Sequence, residues 1–307
     1  MLVTALVRSC CSRVWPIAVR INNLGNHAMK FPKFWARTAN LRGTVSARGW
    51  SDISLEEAQS NANLRLQRIL QWLRTEHDVG EPDRYAYEAD GVICEEIIEQ
   101  IDDSPNVSAI VSRNRYGALV LNVSRLMFVD IDLPTPANRG CLLAWWPPGK
   151  PSAENSEQAI LARVDDWQSR NTDMTLRVYR TCNGIRLMVV NHLFVESDPR
   201  AAAIMEELQA DRLYRHLCRT QSCYRARLTP KPWRVGLSNP PTGFPFDRVE
   251  DRQRFEDWNQ RYLQAIKNYA VCRFLKTLGT GETLADHLPI IELHDQFCCR
   301  APELPLA

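Results

Sequence analysis

Two acids separated by one residue close an apolar run, Phe128-Val129-Asp130-Ile131-Asp132-Leu133-Pro134. Side chains alternate faces along a strand, so Asp130 and Asp132 point the same way, near enough to share a hard divalent cation such as Mg2+ or Mn2+. That geometry suits metal-dependent phosphoryl chemistry. Leu126, Met127, Phe128 and Val129 are apolar on both faces, which marks a central strand open to solvent only at its end. A plainer reading makes the acids a strand end before a turn at Pro134 and Pro136.

Further residues could answer the acids. In Leu176 to Val190 the Asn183-Gly184 pair predicts a two-residue hairpin turn, pairing Cys182 with Ile185 and placing Thr181 directly opposite Arg186. A hydroxyl and a guanidinium side by side would receive an anion. The stretch Arg212 to Arg234 carries seven basic residues and no acid. Within it Arg225 and Arg227 share one strand face, and Lys231 and Arg234 follow in a rigid proline turn with Trp233. Bases interleaved with aromatic rings suit phosphates and nucleobases. The alternative is a basic strand matched by acids elsewhere in the chain.

These residues need elements to hold them. The 307 residues carry a net charge of only +2, 45% hydrophobic and 24% charged, an ordinary globular balance in which any basic surface is local. Residues 1–28 hold Arg8, Arg13 and Arg20 with no acid and never reach the roughly 18 apolar residues of a membrane span. They read as a non-native or disordered leader before a start at Met29, ahead of a transit peptide. Residues 33–50 suggest a strand or hairpin, and Ser54 with Glu57 a capping box opening a helix. A short helix is expected over 92–102, then a hairpin from Val107 to Val123 leading into the acidic strand. Residues 134–155, with Trp145-Trp146, read as a loop or lid, and a helix follows from Asn155 to about Arg170. Asp198-Pro199 and Asp211 are N-cap signatures.

Val249 to Leu278 reads as one long helix ended by Gly279, and Leu288 to Leu293 as a short strand that accounts for Glu292, His294 and Asp295 without a metal. The ten cysteines form no C-x-x-C and are read as lying apart from the histidines, Cys141, Cys182 and Cys272 being small buried residues of a reducing, cytoplasmic protein.

From Met29 to Ala307 the chain resembles an uncharacterised bacterial protein family. The shared motifs are Trp50-Ser51-Asp52, the Phe128 to Leu133 strand, Tyr179-Arg180-Thr181 with Gly184, and Ala226 to Arg234. More remotely, the order acidic strand, helix, hairpin, basic strand is similar to the core of archaeo-eukaryotic primases and primase-polymerases. That resemblance implies metal binding by Asp130 and Asp132. Where the family has a phosphate-binding histidine this chain offers Arg186, and no third acid stands out, since Asp198 and Asp211 look like helix caps. The expectation is an α+β fold, a mainly antiparallel sheet with packed helices and a primase-like core over 29–248, with a helical segment over 249–307 packed on it. The expected function is metal-dependent nucleotide binding or nucleotidyl transfer, with Thr181 and Arg186 on the triphosphate and Arg225, Arg227, Lys231 and Arg234 on single-stranded nucleic acid. The alternative is a non-catalytic nucleic-acid or protein-binding module; no membrane partner is expected.

Overall fold

The computed structural model describes residues 29–74, 91–101, 106–133 and 157–307. The leader, the Trp145-Trp146 segment and the start expected at Asn155 lie outside them. In chain order the elements are β1 (Phe34–Ala39), β2 (Ser46–Ser51), α1 (Leu55–Arg74), β3 (Glu96–Ile101), β4 (Ala109–Arg113), β5 (Leu119–Val123), β6 (Phe128–Asp132), α2 (Glu157–Arg170), β7 (Leu176–Thr181), β8 (Gly184–Val189), α3 (Pro199–Glu207), α4 (Arg212–Gln221), β9 (Tyr224–Arg227), α5 (Val249–Ala265), β10 (Cys272–Leu278) and α6 (Leu288–Cys298). No described helix is long and apolar enough to cross a membrane.

The fold is α+β with antiparallel strand pairing. β1 and β2 form a hairpin under α1, and two four-stranded sheets follow, ordered β3-β4-β5-β9 and β10-β7-β8-β6. The second sheet is the core. Leu126 to Val129 are fully buried, as the unbroken apolar run requires, and every residue of β8 is buried, Arg186 among them. Register places Tyr179, Arg186 and Asp130 in one row across β7, β8 and β6, and Thr181, Gly184 and Asp132 in the next but one. Alternation puts both rows on one face, where His294 and Asp295 of α6 meet them. The opposite face, with Arg180, Ile185 and Ile131, lies under α2, whose Glu157 accepts from Arg180 Nε at 2.8 Å.

The hairpin turn differs from expectation. Its two loop residues are Cys182 and Asn183, and Gly184 pairs with Thr181. The glycine is spent on close approach instead of on the turn: a Cβ there would stand 2.1 Å from the Ile131 carbonyl oxygen in β6. Thr181 therefore lies diagonal to Arg186, not opposite it.

Three further elements depart from the sequence reading. The helix expected over 92–102 is strand β3, whose Ile97, Ile98 and Ile101 pack with β4 as β-branched residues prefer. The long helix ends at Ala265, and Cys272–Leu278 becomes the edge strand on β7, so the segment 249–307 is not wholly helical. The strand expected at Leu288–Leu293 is the start of α6, with Pro289 in the first turn where its missing N–H costs nothing.

Gly184→Ala should destabilise the chain by about 1–3 kcal/mol, since backbone cannot retreat as a side chain can. Urea denaturation reads this, and an unchanged midpoint would contradict the β6–β8 contact.

Candidate functional site

The centre of the site is a buried ion pair. Arg186 is only 2% exposed. Its Nε donates to Asp130 Oδ1 at 2.8 Å and its Nη2 to Oδ2 at 3.1 Å, a two-pronged match. Nη1 donates to the Arg227 carbonyl at 3.3 Å and lies 3.4 Å from His294 Nε2. Burial pulls the guanidinium's pKa down, but the charge and hydrogen bonds of Asp130 outweigh it and hold the pKa above its ordinary value. Asp130 is thus an engaged carboxylate, not an open one.

Two further acids gather at the end of β6. Asp132 is exposed. Asp211 caps α4, accepting from the Tyr214 amide at 2.7 Å, and its own amide donates to the Asp130 carbonyl at 2.9 Å. The cap reading is therefore correct, and the cap brings Asp211 near enough to Asp132 for its charge to act on it. Partial burial raises the Asp132 pKa, the charges of Asp211 and Asp130 raise it further, and Lys231 and Arg227 oppose the shift. Among the described residues these three carboxylates do not converge within 4.8 Å as a ready-made metal site.

Beside the pair opens a cavity of about 420 Å³ lined by Asp130, Arg186, Arg225, Arg227, Arg115 and Tyr116, with Arg48 at the β1–β2 hairpin also contributing. Its arginines are not equivalent. Arg225 Nη2 is held by Glu95 at 2.6 Å and its Nη1 by Gln221 at 2.7 Å, so both ends of its fork already meet protein acceptors. Arg227 has no such partner among the described residues, and its Nε is buried without a hydrogen bond. Burial, reinforced by Arg186 and Arg234, pushes its pKa down to about 10. An anion would relieve all three effects.

Lys231 lies near Arg227, Arg234 and Asp132. Burial and then the charges of Arg227 and Arg234 push Lys231 down to about 8, while Asp132 opposes. With its amide turned to suit its neighbours, Asn183 accepts from Arg234 Nη2 at 3.0 Å, which ties the β7–β8 turn to Arg234. Trp233 is 48% exposed, with Lys231 Nζ 5.3 Å from its ring centroid and Tyr116 packed edge-on at 5.1 Å.

The structure thus gathers Asp130, Arg186, Arg225 and Arg227 at one cavity; Asp132, Lys231 and Arg234 are outside its lining, Lys231 and Arg234 near enough to Arg227 to act on its charge environment. Thr181 is not part of that lining. Sequence reasoning missed Arg48, Arg115, Tyr116 and Asp211. The hairpin from Val107 to Val123 was legible, but nothing local shows that Arg115 and Tyr116 in it line a cavity with Arg225 and Arg227 of β9. Comparisons with protein-family models, with curated proteins and with solved structures find no match to this chain.

Two stability outcomes follow from these charges. Asp130→Asn leaves a sealed guanidinium uncompensated and should cost about 3–5 kcal/mol in urea denaturation. A loss under about 1 kcal/mol would mean the pair is not buried as described. Asp132 behaves oppositely. Its folded pKa lies above the ordinary 3.8, so the folded state binds the extra proton and stability falls as pH rises through that window. Asp132→Asn should therefore be slightly more stable than wild type at neutral pH and equal to it well below pH 3.8, a difference that paired thermal melts resolve.

Proposed function

We propose that the chain binds a nucleotide by its phosphates in the arginine-lined cavity and acts as a metal-dependent nucleotidyl-transfer protein with a primase-like core. The observation that carries this reading is Arg227, a buried guanidinium with an unsatisfied donor, facing the same cavity as the Arg186–Asp130 pair. A carboxylate could fill such a place internally, as Glu95 does for Arg225, and among the described residues none does. The phosphate chain would lie between Arg227 and the neighbouring cations Lys231 and Arg234, with a base stacked against Tyr116 or Trp233.

Asp132 and Asp211, with the spare lone pairs of Asp130, would hold Mg2+ or Mn2+, a hard cation suited to carboxylate oxygens. Bound there, the metal would neutralise phosphate charge and orient the reacting oxygens. The chain's own part is positional: Arg186 fixes Asp130, α4 fixes Asp211, and β6 fixes Asp132. The rival reading, a non-catalytic nucleic-acid-binding module, draws on the same cations and on the incomplete convergence of the acids.

Calorimetric titration with a nucleoside triphosphate separates the two. In wild type, Mg2+ should tighten binding. Asp132→Asn with Asp211→Asn should abolish that tightening; asparagine keeps the helix cap, so the fold is spared. Arg227→Met should weaken binding about 10- to 100-fold with or without metal, the worth of charge-assisted hydrogen bonds. Absence of triphosphate binding by wild type at low salt would end the enzyme reading and favour the binding module.

Lys231 adds a signature. Its folded pKa near 8 leaves it about half neutral at that pH, and an arriving phosphate should restore the proton. Binding heats at pH 8 should then vary with the buffer's ionisation enthalpy, and Lys231→Met should flatten the dependence.

A further inference from the structure

On the α6 side of Arg186 lies a second cluster that the nucleotide reading does not use. Cys272, His294 and Cys298 are all buried, and one ligand atom from each lies within 4.8 Å of the others. Two elements build it. His294 and Cys298 are four residues apart on α6 and so share a helix face, while Cys272 opens β10 in the row that pairs with Thr181. Cys299, at the end of the same helix, brings its sulfur to 3.5 Å from Cys272 Sγ.

The histidine is held as a ligand histidine would be. His294 Nδ1 donates to Asp295 Oδ1 at 2.9 Å, and that carboxylate also accepts from Tyr179 Oη at 2.9 Å and Arg177 Nη2 at 2.6 Å. A carboxylate fixed by two other donors sets both the ring orientation and the tautomer, leaving the Nε2 lone pair on the other side. Arg186 Nη1, 3.4 Å from Nε2, already donates to the Arg227 carbonyl and does not depend on that lone pair.

We propose that Cys272, His294, Cys298 and Cys299 form a structural zinc site that fastens α6 to β10 behind the Arg186–Asp130 pair. Three sulfurs and one imidazole are soft and borderline donors, which select zinc over magnesium or calcium. Zinc bonds of about 2.3 Å to sulfur and 2.0 Å to nitrogen set tetrahedral donor separations of roughly 3.5–3.8 Å. The Cys272–Cys299 separation of 3.5 Å is already near that value; Cys272, His294 and Cys298 need to close by about 1 Å from their present limit of 4.8 Å, and Cys299, which lies outside that group, must swing from Cys272 toward the other two donors. Three thiolates with one zinc ion carry a net charge of −1, which would sit against the Arg186 guanidinium. This site is independent of the nucleotide proposal: either can fail alone.

The test uses the full chain, purified under reducing conditions without a metal-binding tag. Elemental analysis should find one zinc per chain that survives dialysis, and Cys272→Ser and Cys298→Ser should each lose it while Cys182→Ser keeps it. Because the serine variants could fail to fold, cobalt substitution of the wild type provides a second readout. Thiolate-to-cobalt charge-transfer bands and strong tetrahedral ligand-field absorption should appear at one equivalent and disappear when zinc is added. Wild type that holds no zinc and gives no thiolate bands with cobalt, or a Cys272–Cys299 disulfide in the native protein, would overturn the proposal.

Discussion

A guanidinium sealed from water must be answered by a charge at hydrogen-bonding distance, and Arg186 with Asp130 meets that demand in the middle of the second sheet. Such a pair contributes little net stability compared with two apolar residues, because its Coulomb gain mostly repays desolvation. What it fixes is geometry. The fork of Arg186 has one arm on Asp130 and another on the Arg227 carbonyl of β9, so one side chain spans from the second sheet to the first. A lysine, with one charged centre and no planar fork, could not hold both contacts in the same directions.

From this pair the charges around the cavity divide into settled and unsettled ones. Arg225 is settled by Glu95, and Arg177 by Asp295. Arg227 and Lys231 are unsettled, both pushed down by burial and by cations beside them, and Asp132 is pushed the other way by partial burial and then by its acidic neighbours. Opposite shifts side by side mean that a phosphate would relieve the cations and a divalent ion the acids. Perturbed groups of both signs close together are a stronger pointer to a ligand than a basic patch alone.

The parts legible in the sequence were those set by local period. The apolar run of β6, the β4–β5 hairpin, the β1–β2 hairpin and the caps at Asp198 and Asp211 each declare themselves within a few residues. Ser54 accepts from the Glu57 amide as a capping box requires, although the Glu57 carboxylate accepts from Ser51. What was lost depended on distant partners. Gly184 looked like a turn glycine because nothing local shows β6 pressing against it. β3 and β10 carry patterns compatible with helix, and pairing with β4 and β7 decides them. Glu95 lies 130 residues from the arginine it neutralises.

The cysteines show the same limit from another side. His294 and Cys298 stand at helical ligand spacing, but that spacing has meaning only if residues 288–298 are helical, and a strand assignment there dissolved it. Cys272 could not be joined to them without β10, because the long-helix reading placed it on a different kind of surface. Once both elements are corrected, Arg186 stands between two chemically unlike neighbourhoods. Oxygen donors lie on its Asp130 side and sulfur and nitrogen donors on its His294 side. A displacement of α6 would therefore act directly on the orientation of Asp130, since the guanidinium that orients the carboxylate is packed between β6 and α6. The position of that helix is in this sense part of the acidic site, although it contributes no residue to it.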